Sequence, residues 1–150
     1  MKLMKKALRR ALLIPAALTT LSLSANQAAA QIMYNPVELS NSREVNDSLS
    51  SADIPTGFGG FARDYVVELQ DGDQITIDVI SDEFDTLVSL MDAEGITVSE
   101  NDDGPDGTTN SLLFARITES GKYTVRVRSY AGQGSGEFYL KLARLREIEE

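Results

Sequence analysis

The chain has 150 residues, with 14 Lys and Arg against 23 Asp and Glu, and it contains no His, Cys or Trp. That length holds one ordinary domain. Without cysteine there are no disulfides, thiolate metal sites or thiol nucleophiles, and without histidine there is no catalytic triad and no imidazole metal ligand.

The charge is unevenly spread. Residues 1–30 hold five basic residues (Lys2, Lys5, Lys6, Arg9, Arg10) and no acid, which leaves nine basic and 23 acidic residues, net −14, in 31–150. The basic stretch precedes an apolar run through Leu12, Leu13, Ile14 and Leu18, and the small residues Ala28, Ala29 and Ala30 follow. This order predicts a secretory signal peptide over 1–30, cleaved before Gln31. The apolar run, interrupted by Pro15, is too short for a stable membrane anchor. The expectation is an exported protein, periplasmic or secreted, with no membrane association after cleavage. The acidic balance of 31–150 argues against nucleic acid, whose phosphates would repel it.

From Gln31 onward the apolar period is two. The polar stretch Ser40–Ser51 reads as an edge strand with Val45 and Leu49 inward. Pro55 and the glycine-rich stretch 57–61 read as loop. Tyr65, Val67 and Leu69 alternate with polar or outward residues, Asp71, Gly72 and Asp73 turn the chain, and Ile75, Ile77 and Val79 resume, so a hairpin is predicted there. Thr86–Met91 is nearly continuous in apolar character, as a central strand is, and a turn over 92–95 leads into Ile96–Val98. After an acidic loop come Ser111–Ile117, a turn at Glu119–Gly121, and the alternating run Tyr123, Val125, Val127. A Gly-rich loop over 132–136 precedes Phe138, Leu140 and Leu142. Phe84, Phe114, Tyr123 and Phe138 read as core aromatics. Seven to nine short strands with turn signals between them predict an all-β, jelly-roll-like antiparallel sandwich.

The order of these motifs resembles a known family. Asp64–Leu69, the Asp-Gly-Asp turn with Ile75–Asp78, Phe84–Leu90, Asp92–Gly95, Asn101–Asp103, Ser120–Val127 and Gly136–Leu140 follow one another as in the bacterial pre-peptidase C-terminal (PPC) domain. That family is similar to the collagen-binding domains of clostridial collagenases. The resemblance covers 45–142 and implies a single β-sandwich over 31–150. Family members usually follow a peptidase domain, whereas here only the signal peptide precedes the module, so a free-standing PPC-like domain is expected.

The acidic loop Asn101–Gly107 is the strongest candidate for binding. Calcium takes six to eight hard oxygens, which clustered Asp and Asn side chains and turn carbonyls supply, so Asn101, Asp102, Asp103 and Asp106 are candidate Ca²⁺ ligands. The same residue types also build plain turns. The resemblance places this loop one hairpin from Asp85, which is either a further ligand or a local cap of its strand. It also aligns Asp64 with an aspartate that helps hold calcium in the collagen-binding relatives. Tyr130 and Tyr139 face outward and are candidate ligand-binding residues. Arg116, Arg126 and Arg128 read as pairing with acids across strands.

No nucleophile elbow and no tuned carboxylate pair is visible, so a non-enzyme is expected. The sequence therefore predicts a non-catalytic exported binding or accessory module for an extracellular or periplasmic protein or polysaccharide, with Ca²⁺ as the candidate cofactor. The alternatives are a stability or secretion partner acting in trans on a separately encoded peptidase, and an unrecognised hydrolase.

Overall fold

The computed structural model describes residues 34–39, 43–57 and 59–145. The signal peptide expected over 1–30 and the tail after Leu145 lie outside these residues.

Alternation of side chains along each strand decides which residues face inward, and here it produces two facing sheets. The strands are β1 (Val37–Glu38), β2 (Glu44–Leu49), β3 (Ile54–Pro55), β4 (Phe61–Leu69), β5 (Gln74–Ile80), β6 (Thr86–Met91), β7 (Thr97–Asn101), β8 (Ser111–Arg116), β9 (Gly121–Ser129) and β10 (Gly136–Arg144). Six form one sheet in the order β1-β4-β9-β6-β7, with β3 also paired to β4, and four form the other in the order β2-β10-β5-β8. All pairs are antiparallel except β1 with β4. The all-β sandwich is as expected. The strand count rises to ten because β1 and β3, at two residues each, are too short to show a period.

The inner faces meet in one core. Tyr65, Val67 and Leu69 of β4, Val125 and Val127 of β9, and Val88 and Leu90 of β6 oppose Ile75, Ile77 and Val79 of β5, Leu140 and Leu142 of β10, and Leu113 of β8. Burying each such side chain stabilises the fold by about 1.5–3 kcal/mol relative to exposure. Phe138 joins the layers, its ring edge-on to both Tyr65 (centroids 6.3 Å apart) and Phe84 (6.2 Å). β6 lies between β9 and β7 and is buried over five of its six residues, as its continuous apolar run requires.

Three local expectations are corrected. The Asp71–Asp73 turn does not make a hairpin: β4 and β5 belong to different sheets, and the turn crosses between them. It is fastened instead to the segment joining β8 to β9, where Gly72 N–H donates to the Ile117 carbonyl (2.9 Å) and Ile117 N–H to the Asp73 carbonyl (2.8 Å). Period two says which residues face the core but not whether the neighbour lies beside or across it. Pro55 lies in β3, whose two residues flank β4 at the sheet margin, where a missing N–H is tolerated. Phe114 is not a core residue but 55% exposed, on the outer face of β8. Asp64 sits inside β4.

Candidate functional site

The acidic loop is built chiefly by its own turn chemistry. Asn101, at the end of β7, accepts through Oδ1 from the N–H groups of Asp102 (3.0 Å) and Asp103 (3.4 Å). Its Nδ2 donates to the carbonyls of Asp103 and Leu112, both at 2.8 Å, tying the loop to β8. Asp106 Oδ1 accepts from the Thr108 N–H (3.2 Å) and hydroxyl (2.9 Å), and these bonds lower its pKa. At the base of the loop, buried Thr86 shares a 2.7 Å hydroxyl bond with Ser111 and donates its N–H to the Thr109 carbonyl.

Asp85 precedes β6 beside this loop. Desolvation first, then the charges of Asp102 and Asp103, raise its carboxyl above the ordinary range. The structure thus brings Asp85, Asp102 and Asp103 into one neighbourhood, as the resemblance implies. Asp64 is elsewhere: its buried carboxylate accepts a two-pronged pair from Arg126 (Nε 2.7 Å, Nη2 2.8 Å), and burial and the nearby Asp64 charge raise the Tyr34 pKa. Its oxygens are committed to that cation. Among the described residues no three His, Cys, Asp or Glu side chains are grouped to hold a metal ion. Asn101 and Asp106 are thus engaged in turns and Asp64 in an ion pair.

The two tyrosines also separate. Tyr130 opens a 3₁₀ turn over Tyr130–Gly132, its N–H donating to the Asp85 carbonyl (2.8 Å). Tyr139 stands on the outer face of the four-stranded sheet, opposite Ile80 on β5 and Asn46 on β2, and desolvation and the charge of Glu44 raise its pKa. Tyr139 and Ile80 line a groove of about 550 Å³, rimmed by Asp82, Glu83 and Glu137. Ile80 is 44% exposed, and Leu112 and exposed Phe114 continue this face along β8.

The groove wall is fixed by Ser81. Its buried hydroxyl donates to the Glu137 carbonyl (2.7 Å) and accepts from the N–H groups of Glu83 (3.1 Å) and Phe84 (3.3 Å). Glu83 in turn accepts from Glu137 N–H (3.0 Å), lying so close over Gly136 that a Cβ there would meet the carboxylate. Sequence reasoning missed Ile80 and Phe114. Ile80 follows inward Val79 directly, so it is apolar out of phase with its strand, and that is a readable signal.

Arg126 and Arg128 pair across strands as expected, Arg126 with Asp64 and Arg128 with Glu100 (2.9 Å), whereas Arg116 lies on the other sheet.

No family model and no curated protein matches the sequence. Solved structures do match. The chain is similar to the pre-peptidase C-terminal domain of a collagenase from Bacillus anthracis, at 15% identity and TM-score 0.54, over 73% of this chain and 95% of that one. It is also similar to PliG of Aeromonas hydrophila, a periplasmic inhibitor of g-type lysozyme, at 14% identity and TM-score 0.55, over 74% of this chain and 96% of that one. The sandwich thus has the fold of the PPC domain, as the motif order implies, and PliG shares it. Among the described residues no helix is long and apolar enough to cross a membrane.

Proposed function

We propose that the chain is a non-catalytic exported binding module whose groove on the four-stranded sheet docks a basic surface of a protein partner. The observation that carries this reading is the groove: Tyr139 and Ile80 form its apolar floor, and Asp82, Glu83 and Glu137 its acidic rim. An aromatic anchor inside a polar rim is the usual make-up of a protein interface. Acidic side chains on the rim speed encounter with a cationic partner and select against anionic ones. The likeness to PliG, a lysozyme inhibitor, and to a collagenase PPC domain supports a protein ligand.

A g-type lysozyme is the first partner to test, by calorimetric titration and by inhibition of lysis. Binding is expected to weaken by at least about tenfold in Tyr139→Ala, as for an anchor residue, and to slow in association as salt rises. Lysis that proceeds unchanged at saturating module would remove lysozyme as the partner. A second reading, support in trans of a separately encoded peptidase, draws on the collagenase likeness. Co-expression raising the yield of such a peptidase, with lysozyme untouched, would favour it.

A further inference from the structure

The opposite face, on the six-stranded sheet, carries a different chemistry. The register sets Asp64 of β4, Arg126 of β9, Ser89 of β6 and Glu100 of β7 in one row across the sheet. Arg128, two residues on along β9, stands on the same face and reaches Glu100 through Nη2 (2.9 Å), and Ser89 donates to the same Glu100 oxygen (2.6 Å). Above the row opens a cleft of about 360 Å³, floored by Arg126, Arg128 and Ser89 and walled by Ile54, Pro55 and Met91.

The two guanidinium groups differ. Arg126 spends Nε and Nη2 on a buried carboxylate and is locked. Arg128 makes one hydrogen bond, to an acid that is itself 41% exposed, and its Nε is buried without a hydrogen-bond partner among the described residues. A guanidinium is a planar fork built for two parallel bonds to a carboxylate, so one bond leaves Arg128 half used. An orphaned charged N–H is a local cost that a second acceptor would remove.

We propose that this cleft binds a carboxylate side chain of an acidic polypeptide segment, held by Arg128 beside the fixed charge of Arg126, with Glu100 as the internal carboxylate that the ligand displaces. The walls favour a peptide acid over a sugar acid. Ile54, Pro55 and Met91 suit the short aliphatic stem of Glu or Asp, whereas a sugar ring would want a stacking ring, and the described lining residues include no aromatic. β7 borders the cleft at the end of its sheet, so an extended segment has room beside it. This site is independent of the groove on the other sheet.

The test uses the whole protein and hexaglutamate as probe, at about 0.15 M salt so that the chain's net charge is screened. Titration should shift the Arg128 Nε–H resonance in side-chain NMR. Arg128→Gln should weaken binding about tenfold or more, and Glu100→Gln, which removes the competitor, should tighten it severalfold. Arg116→Gln, on the other sheet, should leave it unchanged. Melting curves check that each variant is folded. Equal affinity in Arg128→Gln and wild type, or no tightening in Glu100→Gln, would overturn the site. An oligouronate that binds through Arg128 where hexaglutamate does not would overturn the polypeptide assignment. Loss of this site leaves lysozyme binding through Tyr139 untouched, so the two readings fail separately.

Discussion

Asp47, on edge strand β2, holds the two sheets together at one side of the sandwich. Its carboxylate accepts from Ser48 N–H (2.8 Å), Arg63 Nε (2.6 Å) and the Tyr65 hydroxyl (2.8 Å), while Arg63 also reaches Asp53 (2.7 Å). Partial burial raises the Asp47 pKa, but the bonds from Ser48, Arg63 and Tyr65 outweigh it and the net shift is downward. A lowered acid contributes stability above its unfolded pKa and loses it as the pH falls through its folded value. Asp47→Asn should therefore destabilise the neutral protein by about 1–3 kcal/mol, and the difference from wild type should shrink through the acid range in denaturant titrations. Asp85 has the opposite sign. Its raised pKa means that ionisation disfavours the fold, so stability is lost as the pH rises through the folded value. Asp85→Asn should raise the melting temperature at pH 7, with the gain disappearing once the wild-type carboxyl is protonated; a lower melting temperature at pH 7 would show the carboxylate making a stabilising contact.

At the scale of elements, tight loop contacts hold the strands that carry the site. Gly60 and Gly132 bring two turns into backbone contact: a Cβ on Gly132, where φ is +70°, would lie 2.4 Å from the Gly59 carbonyl oxygen. Gly132→Ala should cost more than about 1 kcal/mol, from left-handed backbone and backbone overlap together. Ser81→Ala leaves two N–H groups and one carbonyl without their partner and should cost about 1–3 kcal/mol while loosening the groove wall, both measurable by urea melts and hydrogen exchange at Glu83 and Phe84. The inward faces of β4, β5, β9 and β10 were readable from alternation alone. The crossing of β4 to β5 between sheets was not, because a hairpin turn and a crossover turn use the same Asp-Gly chemistry. The acidic loop was visible by composition, but its turn geometry was not; the hydrogen bonds of Asn101 and Asp106 show that geometry. The outward position of Tyr139 was readable from its phase, whereas the pairing of Asp64 with Arg126, 62 positions away, left no local signal.

For the whole molecule, the cluster of Asp85, Asp102 and Asp103 sets what divalent ions should do. Relief of repulsion among three carboxylates needs charge but no cage, so calcium and magnesium should raise the melting temperature alike and by only a few degrees. A calcium-specific rise of about ten degrees, absent in EDTA and in Asp103→Ala, would instead establish a true calcium site.

The order of the strands carries a further consequence, for the timing of assembly. β9 lies between β4 and β6 in one sheet, and β10 between β2 and β5 in the other, so the last two described strands are interior members of both sheets. A chain emerging from its N-terminal end has no complete layer to close until residues 121–144 are free. Truncation before Gly121 should accordingly abolish cooperative thermal unfolding as followed by far-ultraviolet circular dichroism. Until residues 121–144 are free, the pairs β5–β8 and β6–β7 lack the strands that join them to the rest of their sheets.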